Sequence, residues 1–129
     1  MMELFGIGID VVEVDRIESS MSEFGDRFAE KVFTEGERKY CDSQRESGLH
    51  YAARFAAKEA ISKAFGTGIG KDLGWLDMEI VRKESGEPQL VLSGAGKAFA
   101  EKNGIVEVKI SLTHARHYAA ANAVAMMAG

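Results

Sequence analysis

The feature that most constrains the fold of this chain is one long helical segment that is apolar on nearly every side. The stretch LHYAARFAAKEAISKAF, within a helix predicted from about Gly48 to Phe65, places alanines on one side and larger apolar residues on much of the other. A helix of this kind is buried at the centre of a fold. The remaining segments must pack around it, and 129 residues predict one domain, residues 1–129, with a real core.

Strand patterns lie on both sides of this helix in the sequence. ELFGIGIDVVEV alternates apolar residues, WLDMEIVRKESGEPQLVLS predicts two strands joined by a turn at residues 85–88, and VEVKISLTH and HYAAANAVAMM predict two more. VDRIESSMSEFGDRFAEKVF predicts one or two short helices, Thr34 and Glu37 form a capping-box pattern, and GAGKAFAEKNG predicts a short helix. Strands and helices do not alternate regularly, which predicts a compact α+β domain with a mostly antiparallel sheet packed on the long central helix.

Charge and cysteine content exclude several classes of protein. The formal net charge of −4 provides no overall basic field for nucleic acid. The single cysteine, Cys41, cannot form an internal disulfide, which fits a reducing compartment. No apolar run is long enough for a membrane helix, and the N-terminus lacks the basic region and the cleavage site of a signal peptide. We therefore expect a cytoplasmic protein that binds neither nucleic acid nor membrane.

The first predicted strand places two glycines and a carboxylate on one face. Gly6, Gly8 and Asp10 alternate in GIGID, and glycine weakens a strand because it packs nothing. One interpretation is a ligand cleft, with Asp10 handling a metal ion or a proton. The other is a helix packed closely on the glycines, with Asp10 capping the helix that follows.

The long helix carries a second acidic residue beside its alanine face. Glu59 and Lys63 are four residues apart, so they could form a helical ion pair worth a few tenths of a kcal/mol. Alternatively, Glu59 meets Asp10 across a cleft and the two hold a divalent cation. Two carboxylates with waters and phosphate oxygens are a common way to hold Mg²⁺. The residues alone leave both interpretations open.

Two further segments carry weaker signals. The glycine-rich turn FGTGIG, which includes Gly66, could present N–H groups to a phosphate, although such turns more often end a helix. In SLTHARH, His114 lies at a strand end near Ser111 and Thr113. These side chains could donate to phosphate, but a solvated turn histidine is commoner.

Three segments, taken in order, resemble a known family. GIGIDVVEVDRI, ARFAAKEAISKAFGTGIG and SLTHARHYAAANAVA are similar to segments of the holo-acyl-carrier-protein synthases, the small bacterial 4′-phosphopantetheinyl transferases. The resemblance implies that family's compact α+β fold. It also implies transfer of the phosphopantetheine arm of coenzyme A to a serine of apo acyl carrier protein, with release of adenosine 3′,5′-bisphosphate. The implied cofactor is Mg²⁺, with Mn²⁺ as the alternative, and the implied process is fatty acid biosynthesis.

The resemblance also implies roles for individual residues. Asp10 and Glu59 resemble the family's metal carboxylates, and with Lys63, which resembles its phosphate-binding lysine, they form the implied catalytic group. The positions implied to contact coenzyme A are Arg54, Lys63, Gly66, Gly86, Pro88 and His114. The bare strand at Gly6 and Gly8 would then lie where coenzyme A or a neighbouring strand approaches.

The resemblance implies partners as well. Acyl carrier proteins are acidic, and Arg16 lies where the family's first helix carries a carrier-docking arginine. Arg27 and Lys31 could extend this basic patch. Here the chain departs from the family, because Glu18, Glu23 and Asp26 make this region more acidic than the basic helix expected. The family is a homotrimer in which each active site lies between two subunits.

Two alternative functions belong to other classes. One is a non-catalytic module that binds coenzyme A or a carrier, which would be expected to lack an intact metal site. The other is a metal-dependent phosphodiesterase that cleaves the phosphopantetheine linkage. The chain lacks the histidine and aspartate clusters typical of a two-metal hydrolase.

Overall fold

The computed structural model describes all residues, Met1–Gly129, as five strands, five α-helices and one short 3₁₀ helix. In chain order, the elements are β1 (Met2–Glu13), α1 (Val14–Phe24), α2 (Asp26–Val32), α3 (Glu35–Asp42), α4 (Ser47–Phe65), the 3₁₀ helix (Trp75–Asp77), β2 (Met78–Arg82), β3 (Pro88–Leu92), α5 (Gly94–Lys102), β4 (Ile105–His114) and β5 (Tyr118–Ala128). The predicted α+β class is confirmed. The one difference in element type is at residues 75–77, which form a helical turn where a strand was expected.

Two antiparallel sheets surround the central helix. The larger sheet has the order β1-β5-β4, and β2 pairs with β3 in a separate hairpin. Helix α4 packs against all three strands of the larger sheet and also contacts α1, α3 and β2. None of the helices combines the length and apolar content that a bilayer crossing requires.

The contact between α4 and the larger sheet is built from very small residues. The sheet presents Gly6 and Gly8 from β1 and a row of buried alanines from β5, such as Ala123, to the alanine side of α4. A Cβ on Gly6 would collide with the carbonyl oxygen of Ala64, and a Cβ on Gly8 with that of Ala60. The helix backbone therefore lies directly against the strand.

This contact corrects one sequence-based expectation. The side of β1 that lacks side chains was expected to face coenzyme A or a neighbouring strand, but α4 of the same chain fills it. The close-packing interpretation of Gly6 and Gly8 is therefore correct. Its companion, Asp10 as a helix cap, is wrong, because α1 begins after Glu13 without a side-chain cap.

The opposite face of β1 is apolar and exposed. Ile7, Ile9 and Val11 are 66%, 64% and 60% exposed, and they alternate with the glycines that face α4. Strict alternation would place Phe5 on this face with Ile7, Ile9 and Val11, but the pairing register shifts between Leu4 and Gly6, and Phe5 packs against the core and Phe99. The outer face thus keeps a strip of large apolar side chains with no cover in a single chain.

On its other side, α4 is held by a buried ion pair. The ammonium of Lys58, fully buried, donates to Glu37 Oε1 at 2.6 Å, to the Val32 carbonyl at 2.7 Å and to the Trp75 carbonyl at 3.1 Å. These three acceptors match the three N–H groups of an ammonium. Glu37 also receives the Ile80 N–H at 2.7 Å, so one pair connects α4 to α3 and β2.

The predicted capping box at the start of α3 places Glu37 in this network. Thr34 Oγ1 accepts the backbone N–H of Glu37 at 3.2 Å, and Glu37 Oε1 accepts the Thr34 N–H at 2.9 Å. The glutamate therefore caps its own helix and neutralises Lys58 with the same carboxylate.

We expect Gly8→Ala to lower the free energy of unfolding by about 3 kcal/mol, the upper end for overpacking, because backbone must move to admit the methyl group. Urea denaturation of the purified variant measures this. Gly70→Ala is the matched control, since a Cβ there meets open space, and it should change stability by less than about 0.5 kcal/mol. Equal stability of the two variants would contradict the close contact.

Candidate active site

Close packing of β1 on α4 brings Asp10 to the residues predicted to act with it. Lys63 Nζ lies 3.1 Å from Asp10 Oδ1 and donates to the Ile9 carbonyl at 2.9 Å. The Asp10 side chain is 18% exposed and that of Lys63 is 51% exposed. The strand thus places its carboxylate at the edge of the helix contact, where the site opens to solvent.

Glu59 belongs to the same group. Partial burial and the neighbouring Asp10 charge raise the pKa of Glu59 above its ordinary value, and Lys63 opposes this shift. Repulsion between two carboxylates is the effect expected when both face one small site. The helical Glu59–Lys63 ion pair does not form, because Lys63 pairs with Asp10 instead.

The donor set at Asp10 and Glu59 fits a hard divalent cation. A cation between the two carboxylates would neutralise their mutual repulsion. Mg²⁺ prefers oxygen ligands of this kind. No group of three or more histidine, cysteine, aspartate or glutamate side chains forms a closed metal site. Two protein ligands suit Mg²⁺, which usually keeps several waters and binds substrate phosphates.

A second group of predicted residues lines one cavity of about 150 Å³ near the β2–β3 turn. Four of the positions implied to contact coenzyme A meet there: Arg54, Gly86, Pro88 and His114. They come from α4, the hairpin turn and the end of β4, so the fold collects them from distant parts of the sequence. The cavity is also lined by two basic side chains without an implied role, His50 and Arg82.

Tyr40 of α3 organises the basic side chains of this cavity. The Arg54 guanidinium lies over the Tyr40 ring, 4.4 Å from its centroid, and Arg82 Nη1 donates to the Tyr40 hydroxyl at 2.8 Å. The His50 ring meets the Tyr40 ring edge-on at 5.8 Å and the His114 ring at 5.4 Å. Sequence reasoning assigned no role to Tyr40, His50 or Arg82.

The two groups lie on opposite sides of α4. At about 100° per residue, Glu59 is rotated by about 140° from Arg54, and Lys63 by about 180°. The fold therefore assembles the carboxylates with Lys63, and separately the basic cavity, but it does not bring these two groups together within one chain.

Gly66 ends α4, as the commoner interpretation of the glycine-rich turn held. It adopts a left-handed conformation with φ of 78°, and its N–H donates to the Lys63 carbonyl at 3.1 Å. The N–H groups of Thr67 and Gly68 both donate to the Ser62 carbonyl. The binding role implied for Gly66 stays a prediction.

The residues implied to dock the carrier are both accessible. Arg16 on α1 and Arg27 on α2 are exposed, and neither takes part in an ion pair. Their docking role also stays a prediction.

Comparison with known proteins identifies the family. The family model of the 4′-phosphopantetheinyl transferase superfamily matches residues 6–123. The chain belongs to this superfamily. It is 49% identical over 122 residues to a holo-[acyl-carrier-protein] synthase of Chlamydia trachomatis serovar L2, an alignment that covers 95% of this chain and 99% of the relative.

Solved structures of the superfamily share the fold. The synthase from Neisseria meningitidis superposes with a TM-score of 0.90 at 32% identity, over 95% of this chain and 98% of the other. The Helicobacter pylori synthase in complex with coenzyme A gives 0.83 at 33% identity, over 92% and 98%. The resemblance noted in the sequence, and the phosphopantetheinyl transferase class that it implies, are confirmed.

The pH dependence of stability should reveal the repulsion between Glu59 and Asp10. A raised pKa means that the contribution of Glu59 to stability is present below its unfolded-state pKa and is lost as the pH rises through its folded-state pKa. With a chelator present, Glu59→Gln should therefore unfold at a higher temperature than the unmodified protein at neutral pH. The two should converge near pH 3–4, about the range where the unfolded carboxyl protonates.

Calorimetry over this pH range makes the measurement. The matched control is Glu101→Gln on α5, an exposed position with no ion-pair partner, where no pH-dependent gain is expected. If Glu59→Gln gave no gain at neutral pH, Asp10 and Glu59 would not repel each other.

Proposed function

We propose that the protein transfers the 4′-phosphopantetheine arm of coenzyme A to a serine hydroxyl of apo acyl carrier protein and releases adenosine 3′,5′-bisphosphate. The observation that carries this proposal is the meeting of Asp10, Glu59 and Lys63 at one open edge of the β1–α4 contact. The names of the relatives and the coenzyme A bound to the Helicobacter pylori synthase support the substrate assignment.

Asp10 and Glu59 would hold the Mg²⁺ ion, with Mn²⁺ as the alternative. When bound, the ion supplies positive charge that stabilises the cleaved pyrophosphate of coenzyme A. The chain positions the two carboxylates, because the close contact of Gly6 and Gly8 with α4 brings Asp10 of β1 next to Glu59 of the helix.

Lys63 supplies a movable positive charge. In the free protein its ammonium neutralises Asp10, and its side chain is half exposed. A cation held by the carboxylates would displace it, leaving it free to bind an oxygen of the phosphate under attack. The carrier serine must lose its proton as its oxygen attacks phosphorus, and the carboxylates of Asp10 and Glu59 are the bases within this group.

The direct test is intact-mass spectrometry of apo acyl carrier protein incubated with the protein, coenzyme A and Mg²⁺. We expect a gain of one phosphopantetheine arm that a chelator abolishes. Asp10→Asn and Glu59→Gln should each lower turnover by about 100-fold or more, the scale of removing a metal ligand or a charge at a reacting phosphate.

Other results would identify the alternative classes. Coenzyme A binding without transfer to the carrier of the same cell would indicate a binding module. Release of the arm from a holo carrier would indicate a phosphodiesterase. Normal turnover of either carboxylate variant at saturating Mg²⁺ would remove that residue from the metal site.

We further propose a homotrimer in which each active site joins two subunits. Two observations support this arrangement. The group of Asp10, Glu59 and Lys63 and the basic cavity lie on opposite sides of α4, and a site shared between two chains would let one coenzyme A molecule contact both. The exposed strip of Ile7, Ile9 and Val11 is an apolar surface of the kind that subunit interfaces cover.

Mixed assemblies test the shared site. Asp10→Asn changes only the group of Asp10, Glu59 and Lys63, and Arg54→Gln changes only the basic cavity. Each homogeneous variant should therefore be nearly inactive. Co-expressed with different tags and purified through both, mixed trimers should recover up to about a third of the normal activity, because each contains one interface with both groups intact. No recovery in assemblies shown to contain both chains would place each site within a single chain.

The proposed acceptor and cellular role follow from the same assignment. An acidic carrier would meet the exposed Arg16 and Arg27 on α1 and α2. The protein would act in the cytoplasm, in support of fatty acid biosynthesis, where its buried free thiol, Cys41, stays reduced.

A further inference from the structure

The ammonium of Lys63 lies on the carboxylate that the proposed divalent cation needs. It donates to Asp10 Oδ1 at 3.1 Å and to the Ile9 carbonyl at 2.9 Å, so two oxygens of neighbouring residues on β1 hold one positive charge. Lys63 pairs with no other carboxylate, and Glu59 pairs with no basic side chain. Within the chain, Asp10 is therefore the single anionic partner of this lysine.

The fold fixes the Lys63 side chain at its base and leaves its tip movable. A Cβ added at Gly8 would lie 2.9 Å from Lys63 Cβ, so the start of the side chain lies directly against β1. The side chain is 51% exposed, and a lysine has a flexible four-carbon stem. The ammonium can therefore exchange Asp10 for another anion without any movement of the backbone.

Lys63 and a divalent cation compete for Asp10. Two carboxylates and one ammonium give the group a net charge of −1, whereas the carboxylates of Asp10 and Glu59 alone give −2. No third histidine, cysteine or acidic side chain joins them to compensate. Because ligand charge sets the affinity of such sites and like charges repel at short range, Lys63 in contact with Asp10 weakens the site for the cation.

We propose that Lys63 makes the binding of the divalent cation depend on coenzyme A. In the free protein Lys63 competes with the cation for Asp10, and it yields that carboxylate when a phosphate of coenzyme A takes over its ammonium. The inference rests on the proposed function and adds a coupling between its two ligands. By linkage, the cation must strengthen the binding of coenzyme A by the same factor.

A direct contact between the cation and the phosphate would also couple the two ligands, without any part for Lys63. The free protein separates these two sources of coupling. If Lys63 competes for Asp10, its removal strengthens cation binding before coenzyme A is present. If it does not compete, its removal leaves that binding unchanged.

The experiment measures the Kd of Mn²⁺ by electron paramagnetic resonance, with and without saturating coenzyme A and with no carrier present. In the free protein, Lys63→Met should lower this Kd about tenfold, the scale of one charge-assisted hydrogen bond lost by the competitor. The factor by which coenzyme A lowers the Kd should shrink to a similar extent. Lys97→Met is the matched control, an exposed lysine of α5 without an ion pair, and should change neither quantity.

A second readout follows the ammonium itself. The NMR signal of the Lys63 side chain can be assigned by its loss in Lys63→Met. Coenzyme A alone, with a chelator present, should shift this signal as the ammonium leaves Asp10, and should leave the Lys97 signal in place. An unmoved Lys63 signal would overturn the exchange of partners.

The other outcomes separate this inference from the proposed function. An equal or higher Kd of Mn²⁺ in free Lys63→Met, or an unchanged coupling factor, would overturn the role of Lys63. The proposed function would stand in that case if Asp10→Asn lost Mn²⁺ binding in the presence of coenzyme A. If Asp10→Asn bound Mn²⁺ as well as the unmodified protein does, the proposed metal site would fail, and this inference with it.

Discussion

The close contact between strand β1 and helix α4 is the constraint on which the candidate site depends. Gly6 and Gly8 let the helix backbone approach the strand until its carbonyl oxygens occupy the space of the missing side chains. Asp10 lies two residues beyond Gly8 on the strand. At that separation it reaches Lys63, and its charge raises the pKa of Glu59. Larger residues at the glycine positions would move the strand outward and separate the carboxylates. The glycines therefore determine the positions of the two carboxylates through packing alone.

The opposite side of α4 is held by a different kind of force. Lys58 and Glu37 form a fully buried ion pair whose hydrogen bonds reach three other segments of the chain: α2, the 3₁₀ helix and β2. Such a pair is stable only when every donor and acceptor is satisfied, as here, and removal of one partner would leave an uncompensated charge. The pair fixes α3 and β2 against the helix, and these are the elements that carry Tyr40 and Arg82. Close packing thus positions Asp10, Glu59 and Lys63, and a polar network positions the elements that line the basic cavity.

Much of this arrangement was predictable from local patterns, and the parts that were missed have a common cause. The buried helix, the capping box at Thr34 and the β2–β3 turn each follow from residues close together in the sequence. Alternation placed the glycines on one face of β1, but it carries no information on whether that face meets a helix or a ligand. Tyr40 and Arg82 are 42 positions apart and belong to no motif, so only the fold shows that they touch. The resemblance implied roles for Arg54, Gly86, Pro88 and His114; it did not suggest Tyr40, His50 or Arg82.

Helix α4 also fixes the spacing and the relative rotation of the two groups of residues that it carries. One unbroken run of helical turns carries Arg54 on one side and Glu59 and Lys63 on the other, so the separation of the two groups equals a fixed number of residues. Insertion or deletion of a single residue between them would rotate one group by about 100° relative to the other, without any change in side-chain chemistry. Length variation in related chains is therefore expected in the turns that connect the elements, such as the stretch between α3 and α4, and to be absent within this segment of the helix.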